Sequence, residues 1–141
     1  MISFNYETDF ELADEPKYEA WLSEVIDSEE YDEGEINYIF CNDEDLLQKN
    51  IEFLDHDTLT DIISFDYTMG SLISGDIFIS VERVRENAAE FGVVFEDELR
   101  RVMAHGILHY CGYKDKTDED ALEMRAKEEE KMAMFHVEPT A

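Results

Sequence analysis

Two histidines and an aspartate are the residues of this chain whose types and spacing most clearly indicate chemistry. His105 and His109 are four residues apart, so in a helix both imidazoles project from the same face. Gly112 follows where such a helix would end in a left-handed residue, and the chain that turns back there carries Asp115 toward the same point. Two ring nitrogens and one carboxylate oxygen, with a fourth position open, are typical of a catalytic zinc site. The pattern therefore predicts one Zn²⁺ per chain, held by His105, His109 and Asp115.

Gly106 bears on the kind of hydrolysis that such a metal would support. It occupies the position at which zinc peptidases of the His-Glu-x-x-His type carry the glutamate that acts as general base. Without that base, the usual peptidase mechanism is disfavoured. The longer spacing, with a glycine three residues and a ligand six residues after His109, is nevertheless similar to that of metzincin proteases, so a zinc protease stays an alternative. The simpler structural interpretation of Gly106 is that a neighbouring strand or helix approaches closely there.

Four β-strands are predicted upstream of these residues, from apolar side chains at alternate positions or in short runs. They contain Ile2, Phe4 and Tyr6; Ile36, Tyr38 and Phe40; Ile62, Ile63 and Phe65; and the residues from Asp76 to Ser80. Gly70 and Gly75 bracket the connection between the last two strands, which predicts an antiparallel hairpin. Alternation of strand and helix in the first half favours right-handed parallel crossovers, so the predicted sheet is mixed.

Helices are predicted from apolar stripes at helical spacing and from capping residues. Asp14, Asn42, Ser80 and Thr117 are the expected N-caps of four helices, and the acidic residues 96–98 open the helix that carries the histidines. The expected inward-facing residues are Tyr18, Trp21, Leu22, Val25 and Ile26; Leu46, Leu47, Asn50, Ile51 and Leu54; Val81, Val84, Ala88 and Phe91; Leu99, Val102, Met103 and Gly106; and Ala121, Leu122, Met124, Met132 and Phe135. The predicted fold is α+β, with a mixed four-stranded sheet packed against about five helices and a zincin-like metal helix.

Length and composition restrict the broad class of protein. With 141 residues, 44% of them hydrophobic, we expect a single domain over residues 1–141 with one core. No apolar stretch approaches the length that spans a bilayer, and the N-terminus has neither the basic lead nor the apolar run of a signal peptide. We therefore expect a cytoplasmic protein with no membrane partner. Cys41 and Cys111 are too few for a disulfide framework and are predicted to be reduced thiols.

The charge is strongly acidic, with a formal net charge of -26. Such a chain should as a whole repel a nucleic acid. Residues 1–80 contain only two of the eleven cations, however, and six others fall between positions 83 and 116. These six are candidate substrate-binding residues or simply the polar sides of two helices: Arg83, Arg85, Arg100, Arg101, Lys114 and Lys116. An acidic surface would also suit docking to a basic partner, or serve only for solubility.

Three segments resemble the sequence motifs of one known family. His-Gly-x-Leu-His-x-x-Gly-Tyr at residues 105–113, followed by a ligand two residues later, resembles the signature of the YbeY family. The segment Thr60-Asp61-Ile62-Ile63-Ser64-Phe65 is similar to that family's Thr-Asp-Val-Leu-Ser-Phe, and Gly75-Asp76-Ile77-Phe78-Ile79-Ser80 to its Gly-Asp-Ile-x-Ile-Ser. The motifs occur in the family's order. The resemblance covers the second half to two thirds of the chain.

The resemblance implies a function, an RNA substrate and a set of partners. The family consists of metal-dependent endoribonucleases, so it implies cleavage of single-stranded ribosomal RNA in 3′-end maturation of the small-subunit RNA and in ribosome quality control. A basic ribosomal protein or a ribosome-assembly GTPase is the implied protein partner. The chain departs from the family in having Asp115 where a third histidine is usual and Leu54 where an arginine is common. These departures motivate an alternative, a ribosome-associated binding module whose metal site is not catalytic.

Two other polar groups have ordinary explanations. Asp55, His56 and Asp57 could suggest a second metal site, but an exposed polar loop accounts for them. His136 could substitute for the third ligand, but its position near the C-terminus favours a solvated residue. The sequence assigns neither the attacking nucleophile nor the general acid.

Overall fold

A computed structural model of the protein describes residues 1–54 and 60–135, except for the side chain of Leu54. Along the chain the elements are β1 (Ile2–Tyr6), α1 (Glu15–Ser28), β2 (Asp32–Cys41), α2 (Asp43–Leu54), β3 (Ile62–Asp66), β4 (Leu72–Ser80), α3 (Val81–Phe91), α4 (Phe95–Tyr110) and α5 (Asp118–Met132). The predicted α+β fold is confirmed. No helix within the described ranges combines the length and the apolar character needed to cross a bilayer.

The sheet has the strand order β1-β2-β4-β3. β1 and β2 run parallel, as do β2 and β4, because a helix-containing connection returns the chain to the same end of the sheet. β3 pairs antiparallel with β4, from Ile62 opposite Ile79 to Asp66 opposite Gly75. The predicted mixed sheet with its hairpin is therefore confirmed. β4 begins at Leu72 rather than at the predicted Asp76, because Leu72 and Ile73 already pair with β2.

Four helices, α1, α2, α3 and α5, begin at the predicted caps. Asp14 accepts a hydrogen bond from the Lys17 amide at 3.3 Å. The same arrangement occurs at the other three caps, where the side chains of Asn42, Ser80 and Thr117 accept from the amides of Asp45, Arg83 and Asp120. Each bond satisfies one of the backbone donors that a helix start leaves unpaired.

Four residues predicted to face inward are exposed instead. Ile51 is 51%, Phe91 57% and Leu122 72% exposed, and Ala121 is exposed as well. In α5 the reason is that the buried stripe consists of Met124, Glu128 and Lys131, two of which are charged and therefore absent from an apolar pattern. Ile51 is turned away from the residues of α2 that are buried, Leu46 and Asn50. Phe91 lies in the last turn of α3, which borders the cavity described below rather than the core.

The site helix, α4, carries His105 and His109 and packs directly on the sheet. Tyr38 of β2 donates from its hydroxyl to the Met103 carbonyl at 2.8 Å, and both side chains are fully buried. A Cβ at Gly106 would lie 3.0 Å from Ile77 Cδ1, so the predicted close approach of a strand at this glycine is confirmed. Trp21 is 3% exposed within the same core, and both cysteines are buried and unpaired, as predicted.

Candidate metal centre

The end of α4 is closed by a turn that reverses the chain. Gly112 has φ +98°, a left-handed conformation that favours glycine. The Gly112 amide donates to the His109 carbonyl at 3.1 Å, and the Tyr113 amide donates to the Leu108 carbonyl at 3.1 Å. This pair of bonds is the Schellman motif, which satisfies carbonyls that the helix end leaves unpaired. The reversal brings Asp115 back alongside the last turns of α4.

The returning segment brings Asp115 next to His105. His105 Nε2 and Asp115 Oδ2 are 3.5 Å apart. Two ligand atoms at about 2.0 to 2.1 Å from a tetrahedral zinc lie roughly 3.4 Å from each other, so this pair already has the spacing of two zinc ligands. His109 lies one helical turn further on and lines the same cavity. Within residues 1–54 and 60–135, no three His, Cys, Asp or Glu side chains are gathered closely enough to enclose an ion. The structure therefore brings His105 and Asp115 together but does not gather His109 with them into the predicted three-ligand cluster. The donor types and the spacing of the His105–Asp115 pair suit zinc.

The other ring nitrogen of His105 contacts a residue that the sequence analysis missed. His105 Nδ1 lies 2.8 Å from Oε2 of Glu128, a buried residue of α5. The second oxygen of Glu128 accepts from Arg101 Nη1 at 3.2 Å. In addition, Nε of Arg101 lies 3.8 Å from Oε1 of Glu98. The only sequence signal for Glu128 is its spacing of four residues from the buried Met124, since apolar patterns give no weight to a glutamate.

The electrostatics of this cluster follow from burial and from the pairing of charges. For His105, burial acts to lower the pKa, but the hydrogen bond to Glu128 and the negative charges of Glu128, Asp115 and Asp61 outweigh it, so the pKa is raised. For the Asp61 carboxyl, burial raises the pKa, as it does for the Glu98 carboxyl. The Asp61 and Glu98 carboxyls therefore hold protons more tightly than exposed carboxyls do.

These residues line a cavity of about 470 Å³. That volume lies within the range of small-molecule sites in proteins. Its walls come from the segment before and within β3, from α3, from α4 and from α5. The lining residues that could bind a metal ion or a phosphate include His105, His109, Asp115, Asp61, Arg101 and Arg125.

Comparison with known proteins decides the family. Residues 3–136 match the family model described as Endoribonuclease YbeY. The chain belongs to the YbeY endoribonuclease family. It is 70% identical over 138 residues to the protein named Endoribonuclease YbeY of Flavobacterium johnsoniae, a match that covers 98% of this chain and 99% of the relative. It is 65% identical over 137 residues to the protein of the same name from Flavobacterium psychrophilum, covering 97% and 98% of the two chains.

A solved structure supports the same assignment. The solution structure of TM1509 from Thermotoga maritima matches with a TM-score of 0.67 and 29% sequence identity. The match covers 96% of this chain and 89% of the Thermotoga protein. The α+β architecture is therefore shared across nearly the whole length of the chain.

The three motifs that resemble the YbeY family meet in space. The first motif, residues 60–65, leads into and forms most of β3, and the second, residues 75–80, is the greater part of β4. These two strands pair with each other. The third motif ends α4, whose Gly106 lies against Ile77 of β4 and Ile62 of β3. The first and third YbeY motifs thus line the cavity, and the second pairs with the first in the sheet on which α4 lies.

The six candidate substrate-binding cations have different environments. Arg101 lies at the cavity wall. Lys114 and Lys116 are exposed in the segment between α4 and α5. The remaining three contact other side chains: Arg83 pairs with Asp43 and Glu86, Arg85 lies over the Phe95 ring, and Arg100 pairs with Asp97. Arg125 was not among the six, yet it lines the cavity from α5.

Two predicted features lie outside the described residues. These are the acidic loop with Asp55, His56 and Asp57, and His136 near the C-terminus. Leu54, at the place of a common family arginine, has a described backbone at the end of α2 but no described side chain.

Proposed function

We propose that this chain is a zinc-dependent endoribonuclease that cleaves single-stranded RNA. Its substrate would be ribosomal RNA, in 3′-end maturation of the small-subunit RNA and in ribosome quality control in the cytoplasm. Membership of the YbeY family and relatives named Endoribonuclease YbeY support the reaction class. The observation that carries the proposal is the 3.5 Å separation of His105 Nε2 and Asp115 Oδ2 at the wall of a cavity that His109 also lines.

The zinc ligands in this proposal are His105, His109 and Asp115. When bound, zinc supplies a Lewis acid for a phosphoryl oxygen and lowers the pKa of a coordinated water to about 7. Asp115 in place of a third histidine adds a negative ligand. Since a negative ligand makes a coordinated water less acidic, we expect the chain to need a higher pH for full activity than an all-histidine site.

Three other cavity residues suit a single strand of RNA. Arg101 and Arg125 bring guanidinium groups to the cavity wall, and such groups bind phosphate oxygens through two parallel hydrogen bonds. Phe91 lines the same cavity with 57% of its surface exposed, so its ring is available for stacking on a base. Stacking on aromatic side chains requires bases that are not already paired in a duplex.

The test is cleavage of a fluorescent single-stranded RNA by protein that has been stripped of metal and then reloaded with zinc. We expect cleavage to be lost and recovered, with about one zinc bound per chain. His105→Ala and His109→Ala should lose zinc and cleavage, Asp115→Ala should bind zinc more weakly, and Asp115→His should retain it. The matched control is Asp118→Ala, an exposed aspartate in the first turn of α5. Full zinc affinity in Asp115→Ala would remove that residue from the site.

A ribosome-associated binding module is the second candidate function. It is favoured by the carboxylates of Asp61, Glu98 and Glu128 in the cavity and by the net charge of -26, which oppose RNA binding and suit a basic partner. Such a partner would be a basic ribosomal protein or a ribosome-assembly GTPase. Cleavage that stays at background after reloading with zinc, together with binding to ribosomal subunits, would support this candidate.

A zinc protease has the least support. A glutamate at position 106 would be the expected general base, and the chain has glycine there. Gly106 lies against Ile77 and Ile62, where a longer side chain would meet the sheet. If the protein hydrolysed a peptide and His105→Ala abolished that activity, the protease would again be a candidate function.

A further inference from the structure

Glu128 is a carboxylate buried between α5 and α4, and both of its oxygens have partners on α4. Oε2 lies 2.8 Å from His105 Nδ1, and Oε1 accepts from Arg101 Nη1 at 3.2 Å. Arg101 and His105 are four residues apart on one face of α4, so Glu128 spans two successive turns of the site helix. Its side chain is 8% exposed, and that of Arg101 is 19% exposed.

Packing alone does not account for a carboxylate at this position. Glu128 belongs to the inward stripe of α5 with Met124, which is 2% exposed. An apolar side chain there would fill the same space without the cost of removing a charge from water. Replacement of buried ion pairs by apolar residues of similar volume is often neutral or stabilising. The contact between α5 and α4 therefore does not itself require a carboxylate at position 128, and the carboxylate must serve another role.

We infer that Glu128 is a positioning residue for His105. Its carboxylate accepts a hydrogen bond from the Nδ1–H of the imidazole, and Arg101 holds the carboxylate in place. With the proton on Nδ1, the lone pair of the neutral ring is on Nε2, which is the nitrogen that lies 3.5 Å from Asp115. This inference rests on the proposed zinc site, for which it specifies the ring orientation and tautomer of one ligand.

The arrangement around the ring is the one that metal-binding histidines commonly have. One carboxylate, from Glu128, contacts Nδ1, while the other, from Asp115, lies at Nε2. Histidine ligands usually donate their second N–H to a carboxylate or carbonyl, and loss of that partner typically weakens metal binding by about 10-fold to 100-fold. Glu128 supplies this partner from a different helix, so docking of α5 onto α4 and orientation of the ligand are coupled.

The first experiment measures zinc affinity by competition with a chromogenic chelator. We expect Glu128→Gln and Glu128→Met to bind zinc about 10-fold to 100-fold more weakly than the unchanged protein. The matched control is Glu129→Gln, which removes one charge from the neighbouring, exposed position of α5. Thermal unfolding of the metal-free proteins separates positioning from packing. Arg101 is 19% exposed and keeps Glu98 as a partner 3.8 Å away, so a positioning role leaves the Tm of Glu128→Met within a few degrees of the unchanged protein.

The second experiment reads the tautomer of His105 by ¹⁵N NMR in folded, metal-free protein with labelled histidine. We expect the proton of the neutral ring on Nδ1 in the unchanged protein and on Nε2 in Glu128→Met, where Asp115 is the remaining acceptor. Unchanged zinc affinity in both variants would overturn the inference, as would the same tautomer in both proteins or a lower Tm without a loss of affinity. If the unchanged protein binds no zinc, the proposed function fails, and the tautomer alone then decides the role of Glu128.

Discussion

Two glycines determine how closely the site helix approaches the sheet, and they differ in what surrounds them. A Cβ on Gly75 would lie 2.5 Å from the Phe65 carbonyl oxygen and would also collide with the Tyr110 hydroxyl. Tyr110 is the last residue of α4 and donates to that same carbonyl at 3.1 Å, so Gly75 makes room for the end of the helix next to His109. At Gly106 the nearest atom is instead the flexible end of Ile77, at 3.0 Å.

The same substitution at these two glycines should therefore have different effects. Gly75→Ala should lower the free energy of unfolding by about 3 kcal/mol, because the backbone carbonyl of Phe65 cannot move away without disturbing β3. Gly106→Ala should change it by less than about 1 kcal/mol, because the higher helix propensity of alanine offsets a small shift of Ile77. Urea unfolding of both variants measures the difference. Equal losses would mean that close packing at Gly75 does not position Tyr110.

At the scale of elements, a buried ion pair fastens α5 to α1. Lys131 is 3% exposed, and its Nζ lies 2.7 Å from Glu29 Oε2 and 2.9 Å from the Ser28 hydroxyl. The other oxygen of Glu29 accepts from the Tyr113 hydroxyl at 2.6 Å. Tyr113 precedes Asp115 by two residues, so Glu29 holds both α5 and the segment that carries a proposed zinc ligand. Burial acts to raise the pKa of Glu29, but the hydrogen bonds from Lys131 and Tyr113 outweigh it and lower the pKa.

Glu29→Gln should reduce stability in a pH-dependent way. At pH 7 we expect a loss of about 2 kcal/mol, because the buried Lys131 loses its 2.7 Å ion pair with Glu29 and keeps only the exposed Glu130, 3.1 Å away, and the Ser28 hydroxyl. Since the pKa of Glu29 is lower in the folded state, its contribution is complete above the unfolded pKa of about 4.3 and is lost as the pH falls through the folded value. The difference between the two proteins should therefore shrink below about pH 4. Urea unfolding from pH 3 to 7 measures it.

The control for this change is Glu24→Gln, an exposed glutamate of α1, the helix whose C-cap is Glu29. It should alter the free energy of unfolding by less than about 0.5 kcal/mol at every pH. A difference between Glu29→Gln and the unchanged protein that stays constant down to pH 3 would contradict the role of the Glu29 charge.

At the scale of the whole molecule, the net charge opposes binding of the proposed substrate, whereas the cavity carries two arginines. The net charge of -26 repels a polyanion at long range. Arg101 and Arg125 are guanidinium groups at the cavity, and Arg101 already pairs with Glu128. An RNA strand would therefore be bound through few phosphates, and its affinity would depend on contacts made inside the cavity rather than on a basic surface.

This distribution predicts a weak dependence of RNA binding on salt. With roughly two phosphates neutralised, the slope of log K against log salt concentration should be about -1.4 for a single strand. Arg125→Ala should reduce its magnitude by about 0.7. The control is Arg85→Ala, whose guanidinium lies over the Phe95 ring. Binding of an uncleavable 2′-O-methyl strand at several salt concentrations measures the slope, and an unchanged slope in Arg125→Ala would show that this residue does not contact phosphate.

The sequence by itself determined the features that depend on neighbours within a few residues. The caps at Asp14, Asn42, Ser80 and Thr117 were predictable because each side chain bonds an amide three residues away. The reversal at Gly112 was predictable for the same reason. The strands were predictable from alternation, and the mixed sheet from the order of strands and helices, because connections of this length allow few arrangements.

Only the tertiary structure decided which faces of the helices turn inward and which distant residues meet. Glu128 and Arg101 are 27 residues apart, and Lys131 lies still further from Glu29, so no local spacing marks either pair. The exposure of Leu122 follows from these pairs, because α5 buries charged side chains whose partners lie on α4 and α1. Burial of a charged side chain is costly unless an oppositely charged partner lies next to it. For Glu128 and Lys131 those partners are distant in sequence and come close only in the folded chain.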